Sequence, residues 1–406
     1  MSRKINLNIL GYEIYVLIYA ITVSLYGFGN SIANLRYYSL AALLVCSLIF
    51  IIIKRDTIKE YKQTNLLYSI GLAIIFLVFS VYRAHQVNIS LNIRTFVQIS
   101  LFLFPTLYAF FVINLIEKEK IIYMMKITTI FLVIVYFFDF QEQRHSLMEF
   151  FKIDNWTSID YFKSNSFTES HNWSESFLQL FLFFLYFYKT CPIGKEKSNL
   201  RIYLIITFIF TMLGFKRLGM LVAFFFLIFG SKIIKMKSMK KNHALLLAIT
   251  FSVCTLLYTN FMQGKLVSYD TIFNLTSGRN WILEMWSFSN YLSYGYGSSM
   301  LVIGRYLEMD LVQIFLELNI FCVFLFCYFY FRCGGKSYYT NLILMYSFFN
   351  MLTSSSLPWQ ISWIIMMLSI TLIREDSEQR YIENNKNTDI AIRNKFQTIL
   401  DKIYNY

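Results

Sequence analysis

The sequence predicts an all-α fold, a polytopic bundle of about twelve membrane-spanning helices. Three observations predict it. Hydrophobic residues make up 57% of the 406 and charged residues only 15%, whereas a soluble chain of this length carries far more charge. The apolar residues gather in runs near the roughly 17–25 that a helix needs to cross about 30 Å of hydrocarbon. The polar connections between the runs alternate in basic charge, as the two sides of a bilayer require.

The first-half spans fall near Leu7–Tyr26, Tyr37–Ile53, Asn65–Val81, Phe96–Ile116, Ile121–Phe138 and Phe177–Tyr188. Those of the second half fall near Ile202–Gly214, Leu218–Ile234, Ala244–Met262, Leu311–Phe331, Tyr338–Thr353 and Leu357–Ile373. The chain starts Met1-Ser2-Arg3-Lys4 ahead of an apolar run. Bulky Tyr and Phe interrupt the small residues that a signal-peptide cleavage site needs, so this run reads as an uncleaved first helix. The spans at 177–188 and 202–214 are short, which a thin bilayer, tilt or their flanks accommodate.

Charge sets the orientation. On one side lie the basic residues of residues 1–6, 54–62, 118–126, 189–201, 232–241, 332–336 and 374–402, which hold 26 of the 37 lysines and arginines. The other side holds Arg36, Arg83, Arg94, Arg144, Lys152, Lys163, Lys216, Arg217, Lys265, Arg279 and Arg305. The richer side is the cytoplasmic one, with both termini on it. This distribution also accounts for the net charge of +13 without nucleic acid as a partner. The six cysteines form no Cys-x-x-Cys pair, and several lie inside apolar runs, where Cys behaves as a small hydrophobe. A disulfide framework or zinc site is therefore not expected.

Residues 1–373 form the membrane domain and 374–406 a polar cytoplasmic tail. Two outer segments, 139–176 and 263–310, are much longer than ordinary connections, and such loops tend to be functional. The second contains Thr276-Ser277-Gly278-Arg279-Asn280-Trp281. Thr276 or Ser277 caps a short helix from about Arg279 to Asn290, with Arg279, Leu283 and Trp286 on one face. That helix is expected at the bilayer boundary, its aromatic face toward lipid.

Lys216-Arg217 form almost the whole turn between two spans, on the side where basic residues are disfavoured. Basic groups kept at such an edge suggest an anion, and arginine's planar fork binds phosphate bidentately. The acids come from Phe167-Thr168-Glu169-Ser170-His171 and from Arg305-Tyr306-Leu307-Glu308-Met309-Asp310, both just ahead of a span. Either pair places a general base at the outer face. Glu308-x-Asp310 also has the spacing of oxygen ligands to a divalent metal, but there is no Asp-x-Asp, and no metal is assigned. Glu317 falls inside the membrane, where an acid invites a functional reading.

These residues resemble the bacterial O-antigen and capsular polysaccharide polymerases (Wzy) and the related O-antigen ligases. The resemblance covers mainly residues 165–320. It rests on Ser277-Gly278-Arg279 with Trp286, on Tyr294-Gly295-Tyr296-Gly297, on Phe167-Thr168-Glu169-Ser170, on Gly214-Phe215-Lys216-Arg217-Leu218-Gly219 and on the run from Glu308 to Ile320. Glu308 stands where ligases have a histidine, and Asn319 replaces a usual glycine, which favours a polymerase.

The resemblance implies transfer of a glycan from polyprenyl (undecaprenyl) diphosphate to a hydroxyl of a second lipid-linked oligosaccharide. No cofactor is needed, and the implied partners are membrane lipid and a chain-length regulator. Arg279 and Arg217, with Lys216 or Arg305, are expected to hold the diphosphate. Glu169 or Glu308, with His171 and Asp310 as rivals, is expected to act as base. Trp281, Trp286 and Tyr296 are expected to stack on sugars, although an interfacial aromatic belt accounts for them equally well. A flippase and a ligase are the alternative readings.

Overall fold

A computed structural model describes residues 42, 45, 49, 64–142, 171–213, 216–236, 238–265, 279–290, 292–304, 307–354, 356–357 and 360–381. The first expected span and most of the second lie outside them. All the described regular structure is helical. In chain order the helices are α1 (Thr64–Gln86), α2 (Ile93–Leu115), α3 (Lys118–Glu142), α4 (His171–Thr190), α5 (Lys195–Leu213), α6 (Arg217–Ile234) and α7 (His243–Met262). There follow α8 (Arg279–Ser287), α9 (Ser298–Val302), α10 (Asp310–Glu317), α11 (Ile320–Cys333) and α12 (Tyr338–Thr353), then α13 over 360–381.

Segments Leu67–Gln86, Ile93–Asn114 and His243–Met262 are long and apolar enough to cross a membrane, and Leu218–Ile234 and Ile320–Cys333 are shorter apolar helices. The surface agrees. Leu67, Ile70, Ile74, Val78 and Val81 form one exposed apolar stripe along α1, and Leu246, Ile249, Val253 and Leu257 form another on α7. Stripes at helical spacing that face outward suit hydrocarbon rather than water. The protein is a membrane-embedded, largely α-helical one.

Helix α4 forms the centre. Residues 174–187 are buried on every face, as expected of a helix that is apolar all round, with Ser174, Glu175, Ser176 and Gln179 as its buried polar residues. It packs on α3, α5 and α6. From α12, Tyr339 donates its hydroxyl to the Leu182 carbonyl at 2.7 Å. The flanking polar residues fix both ends of this helix. At its C-terminal end Tyr186 donates to Asp376 at 2.9 Å, and Lys118 and Arg380 pair with the same carboxylate. Arg380 also donates to the Thr190 carbonyl at 3.2 Å. Helix α13 thus continues to residue 381, beyond the expected end at Ile373, and the first residues of the expected tail are docked. The N-terminal end of α4 gathers the starts of α6, α10 and α13 and the end of α12.

One expected span is not continuous. Where 311–331 reads as a single apolar helix, the chain forms α10, breaks at Leu318-Asn319 and restarts as α11. Three side chains explain the break. Asn319 caps α11 by accepting from Cys322 N at 2.9 Å. Arg83 of α1 donates to the Leu318 carbonyl through Nε at 3.1 Å and Nη2 at 2.8 Å, which satisfies an acceptor that the break sets free. Glu317 is turned into the protein toward the segment 293–302. That segment enters between α1 and α2, with Gly295 at φ 109° and Gly297 at φ 95°. A Cβ on Gly295 would stand 2.7 Å from Ser80 Cβ, so only glycine allows this approach.

Candidate functional site

Two charged groups sit at the end of the bundle that holds the N-terminus of α4. The first is buried. Glu175, in the first turns of α4, is 4% exposed, and Lys216, which precedes α6, reaches it at 3.3 Å with 14% exposure. Asn350 near the end of α12 donates to the same Glu175 oxygen at 3.0 Å and also to Ser356 Oγ. Asp310, the first residue of α10, closes the chain by accepting from the backbone of Ser356 at 2.6 Å and Leu357 at 2.9 Å. Lys216, Glu175, Asn350, Ser356 and Asp310 are thus joined across α4, α6, α10, α12 and the turn before α13. A buried carboxylate is stable when its lone pairs are taken by such donors.

The second group is open. Arg279 opens α8, and its Nε lies 3.8 Å from a Glu308 carboxylate oxygen, the two side chains being 30% and 54% exposed. That Nε is shielded from solvent and makes no hydrogen bond among the described residues. Glu308 has φ 29°, one of three non-glycine residues with positive φ among those described. Its neighbours Leu307 and Met309 are fully buried and pack with Met262, Ile282, Leu283, Trp286 and Val312. Burial of the flanks holds Glu308 in its rare conformation.

Among the expected residues, then, the structure brings Lys216, Arg279, Glu308 and Asp310 to one end of the bundle. Glu169 and Arg305 lie outside the described residues, as do Thr276 and Ser277. Of His171 and Arg217 the structure describes the backbone, each as the first residue of a helix at this end.

Three expectations change. The α8 helix ends at Ser287 rather than Asn290, and its Leu283–Trp286 face packs into the protein instead of onto lipid. Trp286 is fully buried and donates Nε1 to the Leu292 carbonyl at 3.2 Å. Tyr296 is 1% exposed, with its backbone N–H on Ser80 Oγ at 3.0 Å. Neither ring offers a face to a sugar, because the loop that carries each folds back on the bundle. Trp281 is 45% exposed. Lys216 is committed to Glu175 instead of being free for an anion.

Sequence reasoning missed Glu175 and Asn350. The available signal is the spacing Glu175–Gln179, an acid and an amide four residues apart at the start of a run that is otherwise apolar from Phe177 to Tyr188. Among the described residues no three His, Cys, Asp or Glu side chains gather as metal ligands. No protein-family model, curated protein or solved structure matches the chain.

Proposed function

We propose that this protein is a membrane glycosyltransferase that joins lipid-linked oligosaccharide repeats into O-antigen or capsular polysaccharide. In this reading it spans a bacterial cytoplasmic membrane about twelve times, with both termini inside and the Arg279–Glu308 end outside. The observation that carries the reading is Arg279, a partly exposed guanidinium with an unsatisfied, shielded Nε–H, next to an exposed carboxylate in a chain built for lipid.

The chemistry follows from those groups. The hydroxyl of the acceptor sugar attacks the anomeric carbon of the donor's reducing-end sugar. The bond from that carbon to the diphosphate oxygen breaks, its electron pair leaves with the polyprenyl diphosphate, and the hydroxyl proton passes to a carboxylate. Glu308 suits that role among the described acids, since Asp310 and Glu175 are spent on internal donors. Arg279, with Arg217 and Arg305, stabilises charge developing on the leaving group. Trp281 offers a sugar a stacking face.

Arg279→Ala is expected to abolish long polymer in cells while single lipid-linked repeats persist on the membrane. Normal long chains from this variant would remove the anion site. The discontinuity between α10 and α11 favours a second reading, export of the same lipid-linked oligosaccharide, because transporters place substrates at broken helices. Here the groups freed by the break are taken internally by Arg83 and Asn319. Loss of an exporter leaves no repeat exposed outside, and loss of a ligase leaves long unattached chains.

A further inference from the structure

Arg279 and Glu308 form a poor ion pair for two groups so close in the fold. The separation of 3.8 Å is too long for a hydrogen bond. The Arg279 Nε–H is shielded from water and yet bonds to nothing among the described residues. An unsatisfied donor on a charged group is costly, so this N–H is a strong acceptor-seeking site. Glu308, by contrast, keeps much of its hydration at 54% exposed, and its backbone is held at φ 29° between Leu307 and Met309, both fully buried. The carboxylate thus stands close to the guanidinium, on a constrained backbone, without a hydrogen bond to it.

We infer that Glu308 is an internal stand-in for the ligand of Arg279: it occupies the anion site loosely and is displaced when a diphosphate binds. This rests on the reading of Arg279 as a diphosphate group. A diphosphate oxygen can approach to about 2.8 Å, satisfy Nε and use the fork bidentately, which Glu308 at its distance does not. The displaced carboxylate then has no cation and is free to take a hydroxyl proton. Binding of the donor thereby sets the base free, and the open pair keeps the site occupied when no donor is present. Two charges of the same sign, the carboxylate and the diphosphate, compete for one cation, so removal of the carboxylate's charge tightens anion binding.

The probe is inorganic pyrophosphate, titrated by calorimetry into the full-length protein in detergent. Glu308→Gln is expected to bind it about 10-fold more tightly than the parent, and Arg279→Gln to lose binding, alone or combined with Glu308→Gln. The Glu308→Gln protein keeps the backbone and the size of the side chain, and its unchanged melting temperature checks that it is folded. Parent-like affinity in Glu308→Gln overturns the stand-in role and leaves the diphosphate site in place. Binding that survives Arg279→Gln places the anion elsewhere, and no binding by any of the proteins overturns both.

Discussion

At the scale of single residues the described acids at this end divide by what their oxygens touch. Glu308 faces solvent and one distant cation, whereas Glu317 is fully buried and ringed by donors. Its oxygens accept from Gly297 N at 2.6 Å, Ser299 N at 2.7 Å and Gln313 Nε2 at 3.1 Å. The sequence marked Glu317 as a functional suspect because it is an acid inside a span. The structure shows it organising the segment 293–302, which bears the Tyr-Gly-Tyr-Gly run. Glu317→Ala strands three buried donors, each worth about 1–3 kcal/mol unpaired, and is expected to destabilise the protein by about 3 kcal/mol or more. Thermal unfolding in detergent measures it. A melting temperature equal to the parent's would mean that segment 293–302 keeps its place without the carboxylate.

At the scale of elements, helices whose register is set by local composition were legible from sequence. Tyr338–Thr353 was expected and forms α12 over the same residues, and α7 differs from its expected span by one residue at its start. The break between α10 and α11 was not legible. Its causes are Arg83, more than two hundred residues earlier, and a loop that hydropathy treats as an outer connection. The Lys216–Glu175–Asn350 group escaped for the same reason, since its members come from three helices that only packing brings together. The break gives its own prediction. Asn319→Ala removes a cap worth about 1 kcal/mol, whereas Arg83→Ala leaves the Leu318 carbonyl without its partners at a cost of about 1–3 kcal/mol. Arg83→Ala should therefore lower the melting temperature more, with far-UV helicity retained in both. The reverse order would assign the break to the cap.

At the scale of the whole molecule the two ends of the bundle differ in kind. One end holds Lys216 with Glu175 and Arg279 with Glu308. At the other, the C-terminal end of α4, lie Lys118, Lys189, Lys195, Lys197, Lys232, Lys235, Lys240, Lys241, Arg332, Lys336 and Arg380, at helix ends or the turns between them, and Arg374 two turns before the end of α13. In the orientation proposed above the basic end is the cytoplasmic one, as the bias of lysine and arginine toward cytoplasmic loops requires. The helices also make the asymmetry testable, because exposed residues mark each end. Ile193, in the turn between α4 and α5, is 95% exposed, and Phe288, just after α8, is 80% exposed. In a cysteine-free background, Ile193→Cys is expected to react with a membrane-impermeant maleimide only after intact cells are permeabilised. Phe288→Cys is expected to react from outside at once. Labelling of both from the same side would break the link between the charge asymmetry and the membrane, and with it the external placement of Arg279.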